Sequence, residues 1–234
     1  MAVKKKYEFD YWRPAVTVDN VVLNFDGSQL RMLLVLRGKE PFKGVWAFPG
    51  GFLEEHETLE EAARRELLEE TGINKAPFMQ IGTFSALDRD PRGRTISTVF
   101  LTLLRPNQHK IQAADDADEA CWFPIHHMPA LAFDHEAIYQ KVKFQLRLIC
   151  LTTPVPFMLM KDIFTLPEMQ RLYSEIFEQE FDRRNFQKRF ISSGMLQQVA
   201  DNKKEQRANA PIYYRFSQAG FCNFLAKRYH VNAK

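Results

Sequence analysis

The stretch Gly51–Ile73, GFLEEHETLEEAARRELLEETGI, constrains this chain more than any other. Thr58 followed by Glu61 is a capping-box start and Gly72 a natural stop, so a helix is predicted between them. Leu59, Ala63 and Leu67 recur at four-residue spacing and predict its buried stripe. Glu66, Glu69 and Glu70 stand at i, i+3 and i+4, sharing a different face. Like charges so spaced cost roughly 0.2–0.5 kcal/mol each. Negative charge in the last turn also opposes the helix dipole, by about 0.3–1 kcal/mol per exposed charge. A divalent cation with hard oxygen ligands, Mg2+ or Mn2+, turns that repulsion into coordination. A solvated acidic helix end satisfies the same spacing.

Length bounds the rest. At roughly 150 residues per domain, 234 residues make about one and a half domains. The three cysteines, Cys121, Cys150 and Cys222, form no CxxC pair, which argues against zinc and redox motifs and fits a reducing compartment. The most apolar run, Leu146–Met160, is broken by Arg147, two threonines and two prolines, so no membrane span is expected. The start, MAVKKKYEFDYW, has basic residues without an apolar signal core. The expectation is a cytoplasmic protein.

Along the chain, residues 15–25 and 31–37 read as a hairpin turned at Asp26-Gly27. Further strands are predicted at 78–87, 95–104 and 120–124, and a helix over 133–150. TTPVPFMLM then suits an extended connector. The domain boundary is placed there, giving domains 1–152 and 153–234. Thr165-Leu-Pro-Glu168 is a second capping-box start, and Met169, Leu172, Ile176 and Phe177 supply its stripe. Asp182 caps a following helix in which Phe186 and Phe190 face the core, joined by Ile191. Short strands at 196–199 and 212–216 flank a polar loop.

Charge separates these two parts. From Arg183 to Lys234 there are eleven basic residues against Asp201 and Glu205, a local +9 in a chain of net charge +3, which leaves −6 for the first 182 residues. Helix, helix and basic hairpin is the order of a winged helix-turn-helix, whose second helix enters the major groove. Arg183, Arg184, Asn185, Gln187 and Lys188 are the candidates there, with Lys203, Lys204 and Arg207 in the wing reaching phosphates. A helical extension used for dimerisation accommodates the same pattern.

The spacing from Gly51 to Ile73 matches G-x5-E-x7-R-E-U-x-E-E-x-G-U, with U aliphatic, at every position, and so resembles an intact Nudix box. WAFPGG (46–51) and DEACWFP (118–124) also resemble Nudix domains. The resemblance implies an α/β (α+β) fold, a Nudix α/β/α sandwich followed here by the winged helix. It implies Glu66, Glu69 and Glu70 as metal ligands, Glu57 and the Gly51 carbonyl nearby, and Arg65 orienting the acids. Glu66 is one candidate for the catalytic base, if the site is active.

The segment DRDPRGR (88–94) reads neutrally as a solvated hairpin with internal ion pairs. It also resembles Nudix proteins that hydrolyse or bind ADP-ribose, as does LAFDH (131–135). That resemblance gives ADP-ribose as ligand and Arg37, Arg65, Asp88, Arg89, Arg92 and Arg94 as its candidate contacts; arginine forks suit pyrophosphate oxygens. His126, His127 and His135 are read as surface or core residues. FTLPEMQRLYSEIF and FDRRNFQKRF resemble the NrtR regulators, which are Nudix-related transcriptional repressors of NAD metabolism. In that family the protein acts as a homodimer, and ADP-ribose releases it from double-stranded, palindromic operator DNA. The complete box departs from the eroded box common among those regulators. The alternative is therefore a Mg2+-dependent ADP-ribose pyrophosphatase yielding AMP and ribose 5-phosphate.

Overall fold

A long central strand organises the fold. The computed structural model describes residues 10–106, 117–199 and 211–229. β1 (Ala15–Phe25) is buried along nearly its whole length because it has neighbours on both edges and helices over both faces. It turns at Asp26-Gly27 into β2 (Leu30–Arg37), antiparallel with Val22 opposite Leu33. The Asp26 carboxylate accepts the Ser28 and Gln29 N–H groups, closing the turn at 2.8 and 2.9 Å. β3 (Trp46–Ala47) adds to β2, and β4 (Gly50–Phe52) lies antiparallel to the start of β1.

α1 (Leu59–Thr71) forms where the sequence predicts it. Thr58 accepts the Glu61 N–H, Glu61 accepts the Thr58 N–H, and Gly72 caps the far end. Ala62, Ala63, Leu67 and Thr71 are its buried positions, while Leu59 is only half-buried. β5 (Phe78–Phe84) pairs with β6 (Thr95–Leu104), which runs parallel to β1. β7 (Ala117–Pro124) pairs with β2. These seven strands form one mixed sheet among the described residues. α1 packs on the face presenting Val18 and Val22. α2 (His135–Thr152) covers the opposite face, where Val21, Leu23, Met32 and Leu101 meet Ile138, Val142 and Leu146. The two helices over one sheet make the α/β/α sandwich expected.

After α2, the segment expected to be extended is instead a 3-10 turn, Val155–Leu159. Pro154 and Pro156 fit the first turn of such a helix, where missing N–H donors cost nothing. Phe157 and Leu159 are buried by it. β8 (Phe164–Thr165) leads into α3 (Leu166–Phe177), which has the reciprocal Thr165–Glu168 cap. α4 (Arg183–Ser193) is capped by Asp182, whose carboxylate accepts the Asn185 N–H at 2.8 Å. β9 (Leu196–Gln198) and β10 (Tyr213–Phe216) are antiparallel, and β8 completes their small sheet. The order helix, helix, hairpin is that of a winged helix.

Three other details differ from the sequence reading. β5 stops at Phe84, and Leu87 is exposed in the following turn. Ile191 is half exposed rather than buried, because Phe186 and Phe190 already fill the inner face of α4. A further helix, α5 (Gln218–Tyr229), follows β10. Gly220 lets it approach so closely that a Cβ there would collide with the Gly194 carbonyl.

The sandwich and the winged helix share apolar packing, with Leu146 and Cys150 in the same cluster as Met169, Leu172 and Phe190. Polar links reinforce the seam. Glu175 accepts the Leu30 N–H at 3.1 Å, and Arg171 donates to the Gly27 carbonyl. No helix among the described residues is long and apolar enough to cross a membrane.

Candidate functional site

The glycine-rich loop before α1, the acidic face of α1 and the loop after β5 converge on one cavity of about 630 Å³. Its lining carries charge of both signs. Glu66, Glu69 and Glu70 of α1 line it together with Arg65, and Arg37 of β2 and Arg89 and Arg92 of the 88–94 loop line it together with Asp19 and Asp90. Gly51 also lines it, so close to Glu66 that a Cβ there would collide with the carboxylate. With no side chain at residue 51, the Glu66 carboxylate can lie directly against the backbone.

Arg65 organises the acids. It donates to Glu57 at 2.7 and 3.0 Å, to Glu66 at 2.8 Å, to Glu69 at 3.1 Å and to the Phe52 carbonyl at 3.1 Å. Those bonds, that with Glu57 first, hold its guanidinium firmly charged. The same contact draws Glu57 below the usual carboxylate range. Glu66 and Glu70 go the other way. Burial raises Glu66 despite Arg65. Burial, together with the charges of Glu66 and Asp19, pushes Glu70 up to about 8, against the Gly50 N–H that it accepts at 2.9 Å. Crowded, partly desolvated carboxylates of this kind favour a proton or a cation.

The donor set therefore fits a hard divalent cation: carboxylate oxygens plus the Gly51 carbonyl on one wall. In the arrangement present, Arg65 takes up oxygens of Glu57, Glu66 and Glu69, and no ready cage of three ligands stands among the described residues. Glu57 lies beside the cavity rather than in its wall.

The basic wall suits an anion. Burial and the nearby charge of Arg92 lower the Arg37 guanidinium from its ordinary value. Arg37 is steadied by donating to the Pro41 carbonyl at 2.8 Å. Arg92 is held by Asp90 at 2.7 Å and lies 4.9 Å over the Phe52 ring and 5.6 Å over that of Phe133. Arg37 lies 4.7 Å over Phe133. Two cations leaning on one aromatic ring repel each other, and a diphosphate between them would relieve that.

The remaining predicted contacts separate. Arg89 is buried beneath the cavity, donating to both Asp134 oxygens at 2.8 and 3.1 Å and to Asp19 at 3.4 Å. Arg94 closes the loop by donating to the Ser85 and Ala86 carbonyls, and Asp88 is exposed; neither lines the cavity. The sequence reading does not single out Asp19 or Phe133. It takes His135 for a surface or core residue, and the side chain is buried, but it also lines the cavity. The His135 ring stacks on Phe48 and its Nδ1 accepts the Phe48 N–H at 3.0 Å. Only a bare Nδ1 can accept, so the ring proton sits on Nε2, facing Asp19 at 3.4 Å. Burial pushes Asp19 up, but His135, Ser97 and Arg89 outweigh it and hold the carboxyl below its ordinary value. Polar Asp19 and Asn20 inside an apolar strand were the available signal, since such residues need buried partners.

Phe133 has φ of 54°, a left-handed conformation costing on the order of 1–3 kcal/mol for a bulky residue. It is held there by the two arginines and by an edge contact from Phe42 at 4.8 Å.

A second candidate surface lies on α4. Arg183, Arg184, Asn185 and Lys188 are exposed and Gln187 is half-exposed, opposite the buried Phe186 and Phe190. Arg189 is also exposed there. Lys203, Lys204 and Arg207 lie outside the described residues.

Residues 13–143 match the NUDIX domain model, and residues 156–216 match that of the NrtR DNA-binding winged helix domain. The ADPR responsive transcriptional repressor NtrR of Acinetobacter baylyi is 32% identical over 87% of this chain and 83% of its own length. The ADP-ribose pyrophosphatase of Methanocaldococcus jannaschii is 46% identical over 57% of this chain and 75% of its own. NrtR of Shewanella oneidensis, crystallised with a 27mer DNA, is 27% identical with a TM-score of 0.71, over 88% of this chain and 95% of that one. The NUDIX domain of the same protein, crystallised with ADP ribose, gives 30% identity and a TM-score of 0.54, over 58% and 90%.

Proposed function

From the premise that this chain belongs to the Nudix family and, within it, to the NrtR regulators, we propose that it is an ADP-ribose-responsive DNA-binding repressor. The observation that carries this is the pairing, in one chain, of a cavity lined by both carboxylates and arginines and a helix whose exposed face carries Arg183, Arg184, Asn185, Lys188 and Arg189. Residues 1–152 form the sensing domain and 153–234 the DNA-binding domain of a cytoplasmic homodimer, its two-fold axis matching a palindromic operator.

In this reading Arg37 and Arg92 bind the diphosphate of ADP-ribose, Arg89 fixes the loop that carries Arg92, and Phe133 supports both guanidiniums. Glu66, Glu69, Glu70 and the Gly51 carbonyl would hold Mg2+ or Mn2+, with Glu57 positioning Arg65. Such a cation, when bound, neutralises diphosphate charge and lowers the pKa of bound water. α4 enters the major groove: Arg183, Arg184 and Lys188 read guanine or bind phosphate, while Asn185 and Gln187 read adenine. Lys203, Lys204 and Arg207 reach the backbone. The ligand acts by binding the DNA-incompetent arrangement more tightly. A mobility-shift titration of duplex carrying the operator tests this reading. Binding is expected to fall steeply with salt and to weaken when ADP-ribose is added. Undiminished binding at saturating ADP-ribose removes the sensing role.

One observation favours a second activity. Glu70 is buried among like charges, an arrangement that costs stability and suits metal-assisted hydrolysis of the bound diphosphate, with Glu66 able to take a proton from water. The pyrophosphatase relative shares that half of the chain. Mg2+ is expected to raise the melting temperature of the wild-type protein and leave that of Glu70→Gln unmoved. If hydrolysis occurs, AMP release should fall by at least about a hundredfold in the same variant. Equal turnover in Glu70→Gln would count against the metal site, and no AMP release with Mg2+ or Mn2+ would count against the activity.

A further inference from the structure

The cavity lies at one end of α2, and the turn leading into α4 lies against Lys143 and Arg147 farther along it. At the near end Phe133 carries Arg37 and Arg92 on its ring, Asp134 gives both oxygens to Arg89, and His135 is stacked and hydrogen-bonded to Phe48. Asp134 occupies the cap position of α2 but makes no capping bond, because Arg89 has its carboxylate. The Asp134 side chain is thus fastened to a cavity residue, while its carbonyl accepts the Ile138 N–H at 3.0 Å as the first backbone bond of the helix.

Past the middle of the helix, Lys143 and Arg147 close on Glu178 at 2.9 and 2.6 Å, and Arg147 also donates to the Ile176 carbonyl at 2.8 Å. Glu178 is the residue that ends α3, and residues 179–182 run from it directly into α4. Gln170 holds that turn by donating to the Phe181 carbonyl at 2.8 Å. Between these two sets of contacts α2 is a continuous helix; from Asp134 to Arg147 it spans about 20 Å at 1.5 Å per residue.

The clasp holds its central residue in a costly conformation. Glu178 has φ of 53°, a left-handed conformation that helices ordinarily end on with glycine or asparagine. Its ion pairs are partly exposed, with Lys143, Arg147 and Glu178 side chains 21%, 29% and 37% accessible, and such pairs contribute little. A strained residue kept for a weak bond points to a functional joint. Other polar contacts across the seam, from Glu175 and Arg171 to the β1–β2 hairpin, from His126 to Glu175 and from Arg105 to Asp162, lie away from the cavity.

We propose that α2 is the rod through which an occupied cavity changes the presentation of α4, with Phe133–His135 as its sensing end and Glu178 as its joint to the DNA-binding module. The inference rests on the ligand-responsive reading above and names the route by which that response travels. A ligand that draws Arg37 and Arg92 off Phe133 frees the strained first turn, α2 shifts as a unit, and Lys143 and Arg147 carry Glu178 with them. Glu178 and Arg147 act as positioning residues and touch neither ligand nor DNA.

The coupling ratio tests this: the duplex Kd measured by anisotropy at saturating ADP-ribose, divided by that without it. Glu178→Gly keeps a residue at ease with the backbone but drops the carboxylate, and Arg147→Met breaks the clasp from the other side. Both variants are expected to bind duplex without ligand, and ADP-ribose by calorimetry, within about threefold of wild type. Their coupling ratio is expected to fall toward one from a wild-type value in the usual range of about 5–150. Glu178→Asp should restore part of it. Linkage requires the ADP-ribose Kd to shift by the same factor when duplex is present, and that shift should vanish too. A wild-type ratio of one overturns the ligand-responsive reading, and this inference with it. A wild-type ratio above one that persists in both variants overturns the inference alone. Loss of ligand-free duplex binding in both variants also overturns it, by giving the clasp a purely structural role.

Discussion

Operator binding is expected to fall by at least about thirtyfold when Arg184 and Lys188 are both replaced by alanine, with ADP-ribose affinity unchanged. A good base-edge contact contributes about 1–3 kcal/mol, and each 1.4 kcal/mol is tenfold in affinity, so two lost contacts reach that figure at the lower bound. The fold should survive the change. Both residues are exposed on α4, which is pinned from beneath by Phe186 and Phe190 and capped by Asp182. Alanine is the best helix former, and exposed positions away from caps and cores usually shift stability by no more than about 0.5 kcal/mol. The salt dependence of the residual binding discriminates between roles. If one of the pair contacts phosphate, the slope of log Kd against log salt should flatten by about one. A change in sequence preference at one base pair would instead assign a base contact. Duplex binding at wild-type strength would mean that α4 does not read DNA and that the module serves dimerisation. Calorimetry with ADP-ribose on the same variant closes the comparison, because a pyrophosphatase with a dimerising tail predicts no change in either measurement.

The two candidate sites differ in how far the sequence discloses them. The acidic face of α1 is legible because its logic is local: Thr58, Glu61 and Gly72 set the ends of one helix, and spacing alone puts Glu66, Glu69 and Glu70 together. The outer face of α4 is legible for the same reason, with Asp182 as cap and Phe186 and Phe190 marking the inside. The 88–94 loop is legible as a source of arginines, but not in how they divide. Arg92 faces the cavity, Arg89 lies beneath it and Arg94 serves the turn, a division set by Asp90, Asp134 and two backbone carbonyls. Asp134 lies on a segment 45 residues away in sequence, beyond any local pattern. The proline-containing connector misleads for a different reason: Pro154 and Pro156 favour an extended chain and a helical first turn almost equally, and burial of Phe157 and Leu159 decides. α5 has neither a capping box nor a clear stripe, and its place depends on the close approach of Gly220 to Gly194.

Asp19 is the least visible of the important residues, and replacing it should have the largest effect on stability. Its carboxylate accepts from Ser97, faces His135 Nε2 at 3.4 Å and meets Arg89, itself bound to Asp134. All of these side chains are largely shielded from water, that of Arg89 being only 4% accessible. Removing one partner from a buried ionic network typically costs about 3–5 kcal/mol, because the charges left behind keep their desolvation cost without compensation. For a chain of this length each kcal/mol moves the melting temperature by about 2–4 °C, so Asp19→Ala should melt roughly 6–20 °C lower. Asp19→Asn, which keeps the shape and one acceptor for Ser97, should lose less. The pH dependence has a definite sign. The carboxyl of Asp19 is held below its ordinary value of 3.8, so its contribution is fully present above that pH and is lost as the pH falls through the lower folded value. Wild-type stability should therefore show a steeper acid limb than Asp19→Asn, which keeps the contributions of Asp26, Glu57, Asp90 and Glu178. The same variant should weaken ADP-ribose binding, since Arg89 positions the loop bearing Arg92 and is itself positioned by Asp19 and Asp134. Asp19→Ala melting within about 2 °C of wild type would show that Asp134 alone suffices to hold Arg89, and that the buried carboxylate is dispensable to the cavity.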